Sequence, residues 1–223
     1  MFCADVVVVS LDVLTGFGLS VLLLSLSPGP SNLYIMACTL SGGRVAGVAA
    51  AGGMAVGSLT YTLLVAFGLA SLILLSPLAF ILLKLCGAGY LIFLGLKSMK
   101  VTPVHADTPV RERGARSVLR QSIIVELTNP KTGLFFIAFL PQFASPQAGN
   151  MAGQLILLGL FYALIALCCD LLVVSLSGQL ATLLNRKGDG EQVWLVAQQR
   201  LAALILLGLG SYILIVEVLQ QVF

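Results

Sequence analysis

From Val13 to Leu83 this chain carries a single charged side chain, Arg44. No water-exposed surface can be assembled from a stretch so depleted of charge, because about one-quarter of the residues of a soluble domain are charged. Over all 223 residues the charged share is 9% and the hydrophobic share 59%. Lipid, not water, is the solvent such a surface suits. The chain is therefore expected to be an all-α integral membrane protein, since helices satisfy their own backbone hydrogen bonds inside a bilayer. Its length fits a single transmembrane domain over 1–223.

A bilayer core about 30 Å thick is crossed by roughly 20 apolar residues in a helix. By that measure six segments are expected, at about Val6–Leu40, Val45–Leu75, Leu78–Met99, Ser117–Leu140, Ala152–Leu184 and Val193–Val218. One long polar stretch, Lys100 to Arg116 with Pro103 and Pro109, separates the third from the fourth. The loop cations fall on alternate connections: Arg44 on the first, then Lys97, Lys100, Arg111, Arg113, Arg116 and Arg120, then Arg186, Lys187 and Arg200. Cytoplasmic loops collect Lys and Arg, so these three connections are expected in the cytoplasm and both termini outside. The start carries Asp5 and Asp12 instead of the basic flank of a cleaved signal, so the first segment reads as a retained span. The net charge of +3 gives no reason to invoke nucleic acid. Cys3, Cys38, Cys86, Cys168 and Cys169 lack the spacing of a metal or disulfide framework and read as packing residues, and His105 reads as a solvated loop residue.

Two of these segments are not ordinary spans. The first, about 35 residues long, would reach ~52 Å as one straight helix, and Ser27-Pro28-Gly29-Pro30 interrupts it. Two prolines remove backbone donors and disrupt the helix, while Ser27 can cap a restarted helix with Pro28 in its tolerant first turn. The fourth contains a second cap-then-proline restart, Thr128-Asn129-Pro130-Lys131. Each break lies in the first helix of a three-helix half, and an odd number of crossings inverts the second half relative to the first. The expected architecture is thus two inverted three-helix repeats with helices 1 and 4 broken: repeat 1 over about 1–100, a cytoplasmic loop over about 100–116, and repeat 2 over about 117–223. Paired proline interruptions in inverted halves point to the binding site of a transporter, whereas two unrelated proline kinks are the plainer alternative.

Four charges fall inside apolar segments: Lys84, Glu126, Lys131 and Asp170. A charge at membrane depth costs about 2.5 kcal/mol or more, so it faces a cavity or a partner. Asp170 is too deep for its short side chain to reach an interface. It reads as a ligand for a substrate ammonium or a proton, or as a protonated structural residue. Glu126 and Lys131 flank the second break at the unfavourable poles of their helix dipoles, which calls for compensation, either as a mutual ion pair or in substrate or proton handling. Lys84 lies about two turns from a helix end and can snorkel. The backbone around Pro28, Gly29 and Pro30, with Ser31 and Asn32, suits a carboxylate. With Asp170 and the second break at Asn129 and Pro130, it would hold both ends of an amino acid. Gly43 with Gly47, and Gly53 with Gly57, are G-x-x-x-G pairs read as close helix contacts.

At these residues the sequence resembles the LysE/RhtB family of amino-acid exporters. The likeness runs through Ser27-Pro28-Gly29-Pro30-Ser31-Asn32, Ser41-Gly42-Gly43-Arg44, Gly53, Gly57 and Lys84, then Gly87-Ala88-Gly89-Tyr90-Leu91 and Gly95. In the second half it continues with Asn129-Pro130-Lys131, Phe135-Phe136, Pro141-Gln142-Phe143 and Asp170. The resemblance implies a bacterial inner-membrane exporter of amino acids or close derivatives, driven by proton antiport and needing no cofactor. It departs from the family pattern at two positions: Glu126 stands where an uncharged Asn is common, and Ser58 where an acidic residue is frequent. Both bear on substrate charge preference and proton coupling. Expected partners are a small solute, membrane lipid and an ion gradient, and self-association is compatible with the sequence. Export of metal or other small cations is the nearest alternative, although the apolar segments hold no histidine and no ligand-spaced cysteines. A membrane-embedded enzyme is less favoured, because H-E-x-x-H and G-x-S-x-G are absent. A passive structural protein would not need paired breaks.

Overall fold

The computed structural model describes residues 9–26, 29–75, 77–100, 114–145, 148–184, 200 and parts of 203–215. Its regular elements are helical: α1 (Leu11–Leu26), α2 (Pro30–Leu75), α3 (Pro77–Lys100), α4 (Ala115–Leu127), α5 (Pro130–Leu134), a π-helical turn Phe135–Phe139, a 3-10 turn Leu140–Phe143, and α6 (Met151–Leu184). These elements fall on the first five expected segments. Most of the sixth, Val193–Val218, lies outside the described residues, as do the polar stretch 101–113 and Ser27 and Pro28. The described positions of 203–215 lie against α3, where a Cβ on Gly210 would stand 2.8 Å from the Ala88 carbonyl oxygen.

Local chemistry starts and stops the helices. Ser10 accepts from the Val13 N–H at the head of α1, and Asn150 accepts from the Gly153 N–H at the head of α6. α1 ends at Leu26, Gly29 is non-helical, and α2 opens on Pro30, so the helix is broken at the expected place. At the second break α4 and the Pro130–Phe143 piece meet at 51°. This piece runs three residues past the expected Leu140 and loosens into π and 3-10 turns, in keeping with Pro141 at the start of the latter.

Gly43 corrects one expectation. It was read as half of a G-x-x-x-G packing pair, but its backbone (φ 72°, ψ −175°) interrupts α2. The chain folds back there: a Cβ on Gly47 would strike the Thr39 hydroxyl, although eight residues of straight helix would hold the two about 12 Å apart. α2 is therefore two helical arms joined at Gly43, next to the loop cation Arg44. That backbone region is essentially open only to glycine and costs another residue about 1–3 kcal/mol. Nothing lies within 4 Å of where a Cβ would stand, so the penalty is conformational, not steric. Gly43→Ala is expected to lower stability by about that amount, read as a shift in thermal unfolding of the detergent-purified protein. An unchanged midpoint would remove the strain argument.

Among the described residues two helices, Pro30–Gly68 and Met151–Ser177, are long and apolar enough to cross a membrane, and the bent pair Ala115–Leu127 with Pro130–Phe143 makes a third if it counts as one span. Because of the fold-back at Gly43, the spanning part of the first is its second arm. α2 packs along both α4 and α6, and α1 packs on α6. Two apolar clusters result. One gathers Phe17, Phe135, Phe136, Phe139 and Tyr162 with Val65, its rings at 4.7 Å for Phe136–Tyr162 and 4.9 Å for Phe135–Phe139. The other joins Ile35, Cys38, Ala50, Met54, Val118 and Val174.

Candidate functional site

The layer between the two clusters is polar. Along α2 the apolar Met54 gives way to Ser58 and then to Val65. Along α6, Tyr162 is followed by Asp170 and then Val174. Both broken helices open into this same layer. The resulting pocket has about 370 Å³ of empty space, part of it open outward, and is lined by Ser25, Ser31, Asn32, Ser58, Glu126, Asn129, Lys131, Thr132, Tyr162 and Asp170 among others. Of the residues singled out in the sequence, Ser31, Asn32, Asn129, Glu126, Lys131 and Asp170 are brought together here. Gly29 adjoins them, since a Cβ on it would lie 3.1 Å from the Lys131 Nζ. Pro30 and Pro130 are the first residues of α2 and α5. Pro28 lies outside the described residues. So does the side chain of Lys84, whose backbone is part of α3.

The two breaks are tied to each other. The Ser31 hydroxyl donates to Glu126 Oε2 at 2.5 Å and accepts from Asn129 Nδ2 at 2.8 Å. The other oxygen of Glu126 accepts from the Ser58 hydroxyl at 3.1 Å. Asn129 also caps α5, its Oδ1 accepting from the Lys131 N–H at 3.0 Å. Lys131 Nζ reaches across to the Leu24 carbonyl oxygen at 3.1 Å, and Asn32 Nδ2 donates to the Ser25 carbonyl at 2.9 Å.

This pattern answers the question raised by the two misplaced charges. Glu126 ends α4 and Lys131 opens α5, each at the wrong pole of its own helix. Each side chain instead crosses to the other break. Glu126 meets the first turn of α2, a positive pole, and Lys131 meets the last turn of α1, a negative pole rich in unsatisfied carbonyls. Each charge thus has a hydrogen-bond partner on a helix of the other break. Glycines make room for the arrangement: a Cβ on Gly57 would come within 2.7 Å of the Glu126 Cβ.

Asp170 differs from its neighbours. It is 7% exposed, faces Glu126 and Lys131 across the pocket, and accepts no hydrogen bond from any described residue. Ser25 shares this condition: its Oγ is buried without a partner. Sequence reasoning missed Ser25 altogether. Its sole signal was a hydroxyl inside the run Val21–Leu26 just ahead of the break. It also missed Tyr61, whose hydroxyl donates to the Leu127 carbonyl at 2.6 Å and satisfies the end of α4. No group of metal-binding side chains forms among the described residues.

The LysE type translocator family profile matches residues 22–217. A homoserine/homoserine lactone efflux protein of Salmonella typhimurium is 38% identical over 138 residues, a stretch spanning 60% of this chain and 66% of that protein. An uncharacterized membrane protein of Pseudomonas aeruginosa is 31% identical over 199 residues, 86% of this chain and 87% of its own length. Another from Vibrio cholerae is 33% identical over 140 residues, 62% of this chain and 68% of its own. No solved structure matches the chain.

Proposed function

The chain belongs to the LysE type translocator family, and from that membership we propose that it exports amino acids or their close derivatives across a bacterial inner membrane. The observation that carries this reading is the polar pocket where the two broken helices meet, layered between apolar clusters. Polar surface at membrane depth is costly and is retained where it serves a solute path. The relatives named for homoserine and homoserine lactone efflux make these the first solutes to test.

In this reading the chain forms two inverted three-helix repeats with both termini periplasmic. The backbone N–H groups around Gly29, Pro30, Ser31 and Asn32, together with Asn129, hold the polar end of the solute, and Asp170 takes its ammonium or, in exchange, a proton. Glu126 and Lys131 tie break to break. Separating those ties on one side of the pocket while keeping them on the other gives alternating access. Lys84 and Pro28 belong to the same proposal, as an interfacial cation and as part of the first break.

The experiment is efflux from dipeptide-loaded cells with and without the protein. Expression is expected to raise efflux of one or a few amino acids, homoserine first, with saturation and with loss of transport when the proton gradient is collapsed. Transport of divalent metals with no amino-acid efflux would overturn the reading in favour of ion export.

A further inference from the structure

Hydroxyls inside helices have a ready partner. Ser20, Thr62, Ser122 and Ser177 each donate to the carbonyl four residues back, the common solution where no water is at hand. Ser31 and Ser58 depart from that habit, and both turn onto Glu126. Ser25 departs from it as well, yet its Oγ has no partner among the described residues. It lines the pocket with Asp170, for which no hydrogen bond forms among the described residues either. Its neighbours are fixed: the Leu24 carbonyl holds Lys131 and the Ser25 carbonyl holds Asn32. The last turn of α1 is therefore pinned from two sides while the Ser25 hydroxyl remains open. A buried hydroxyl left unmade costs free energy, so a bound group that completes it gains affinity.

We infer that Ser25 is a specificity-determining residue of the pocket, reading a hydrogen-bonding oxygen on the side chain of the exported solute. Asp170 and Ser25 then form two separate polar contacts, one for the ammonium and one for a side-chain hydroxyl or carbonyl. The solute class is amino acids or derivatives with such an oxygen, in preference to isosteres that lack it. This rests on the exporter reading and adds a selectivity that the reading does not contain.

The test compares efflux of L-homoserine with that of L-2-aminobutyrate, which has the same carbon skeleton without the hydroxyl, in cells making the full chain, Ser25→Ala or Ser25→Thr. One neutral hydrogen bond corresponds to roughly a three- to tenfold preference. The unaltered chain is expected to favour homoserine by that factor, mainly through KM. Ser25→Ala should bring the ratio close to one with the amount of protein in the membrane unchanged, and Ser25→Thr should restore the preference. A homoserine preference that survives Ser25→Ala, or an equal fall for both solutes, overturns the role of Ser25 and leaves the exporter reading standing. Efflux of neither solute, nor of any other amino acid, by the unaltered chain overturns both.

Discussion

Asp170→Asn is expected to leave the protein folded and inserted while cutting export at least about tenfold. The side chain is nearly isosteric, so the packing of α6 against α2 is undisturbed. The change removes only the charge. Asp170 is 7% exposed and faces Lys131 and Glu126 in the pocket, and an amide fills the same space. A charge at that depth is a cost to insertion, and stability is expected to hold or to rise. Binding is different. A hydrogen bond to a charged group is worth about 1.5–3 kcal/mol, which is roughly ten- to a hundredfold in affinity. Export rate, normalised to the amount of protein in the membrane, measures the loss. A normal rate would remove Asp170 from the pocket's work, and a fall explained entirely by lost protein would make the residue structural.

Gly53→Leu is expected to be the most damaging single change to the fold. A Cβ at position 53 would strike the Leu119 carbonyl oxygen and the Ser122 hydroxyl on α4. The first of these is backbone, which cannot rotate aside, so α2 and α4 must move apart. Their contact carries the whole arrangement. One turn further along, Gly57 leaves room for Glu126, and Ser58 donates to it. Overpacking of this kind costs about 1–3 kcal/mol and sometimes more, and here it also pulls Glu126 away from Ser31. Thermal unfolding in detergent should fall by several degrees, with export falling alongside it. The less severe Gly53→Ala still meets the same backbone oxygen and is expected to lie between. Unchanged unfolding for both variants would mean that the close α2–α4 approach is not needed.

The sequence showed the small residues but not which neighbour each one meets. Gly53 and Gly57 were legible as contact residues from their spacing, and the structure sets them against α4. Gly43, read by the same spacing rule, proved to be a fold-back point, because periodicity records which residues share a face only while the helix continues. The breaks before Pro30 and at Pro130 were legible for a firmer reason: proline chemistry acts within a few residues and does not depend on the rest of the chain.

Charge was legible to the same extent. Scarcity of Lys, Arg, Asp and Glu settled the solvent, and the four ionisable residues inside apolar runs named the candidates for a polar interior. Their partners were not in the sequence. Glu126 and Lys131, five positions apart, invited an ion pair across the break, and each also reaches the opposite break, 95 residues away at Ser31 and 107 residues away at Leu24. Ser25 gave no signal, because a serine in an apolar helix ordinarily bonds its own backbone, and nothing local reveals when it does not.

By itself, then, the sequence determined a helical chain suited to lipid, the two places where its helices must break, and the small set of charges that cannot face lipid. The tertiary structure decided that the two breaks meet, that Glu126 and Lys131 exchange poles between them, and that Asp170 and Ser25 are left with polar capacity unfilled. The division follows from range. Hydropathy and proline act on neighbours in the chain, whereas a pocket depends on contacts between residues a hundred positions apart, which only the packed helices specify.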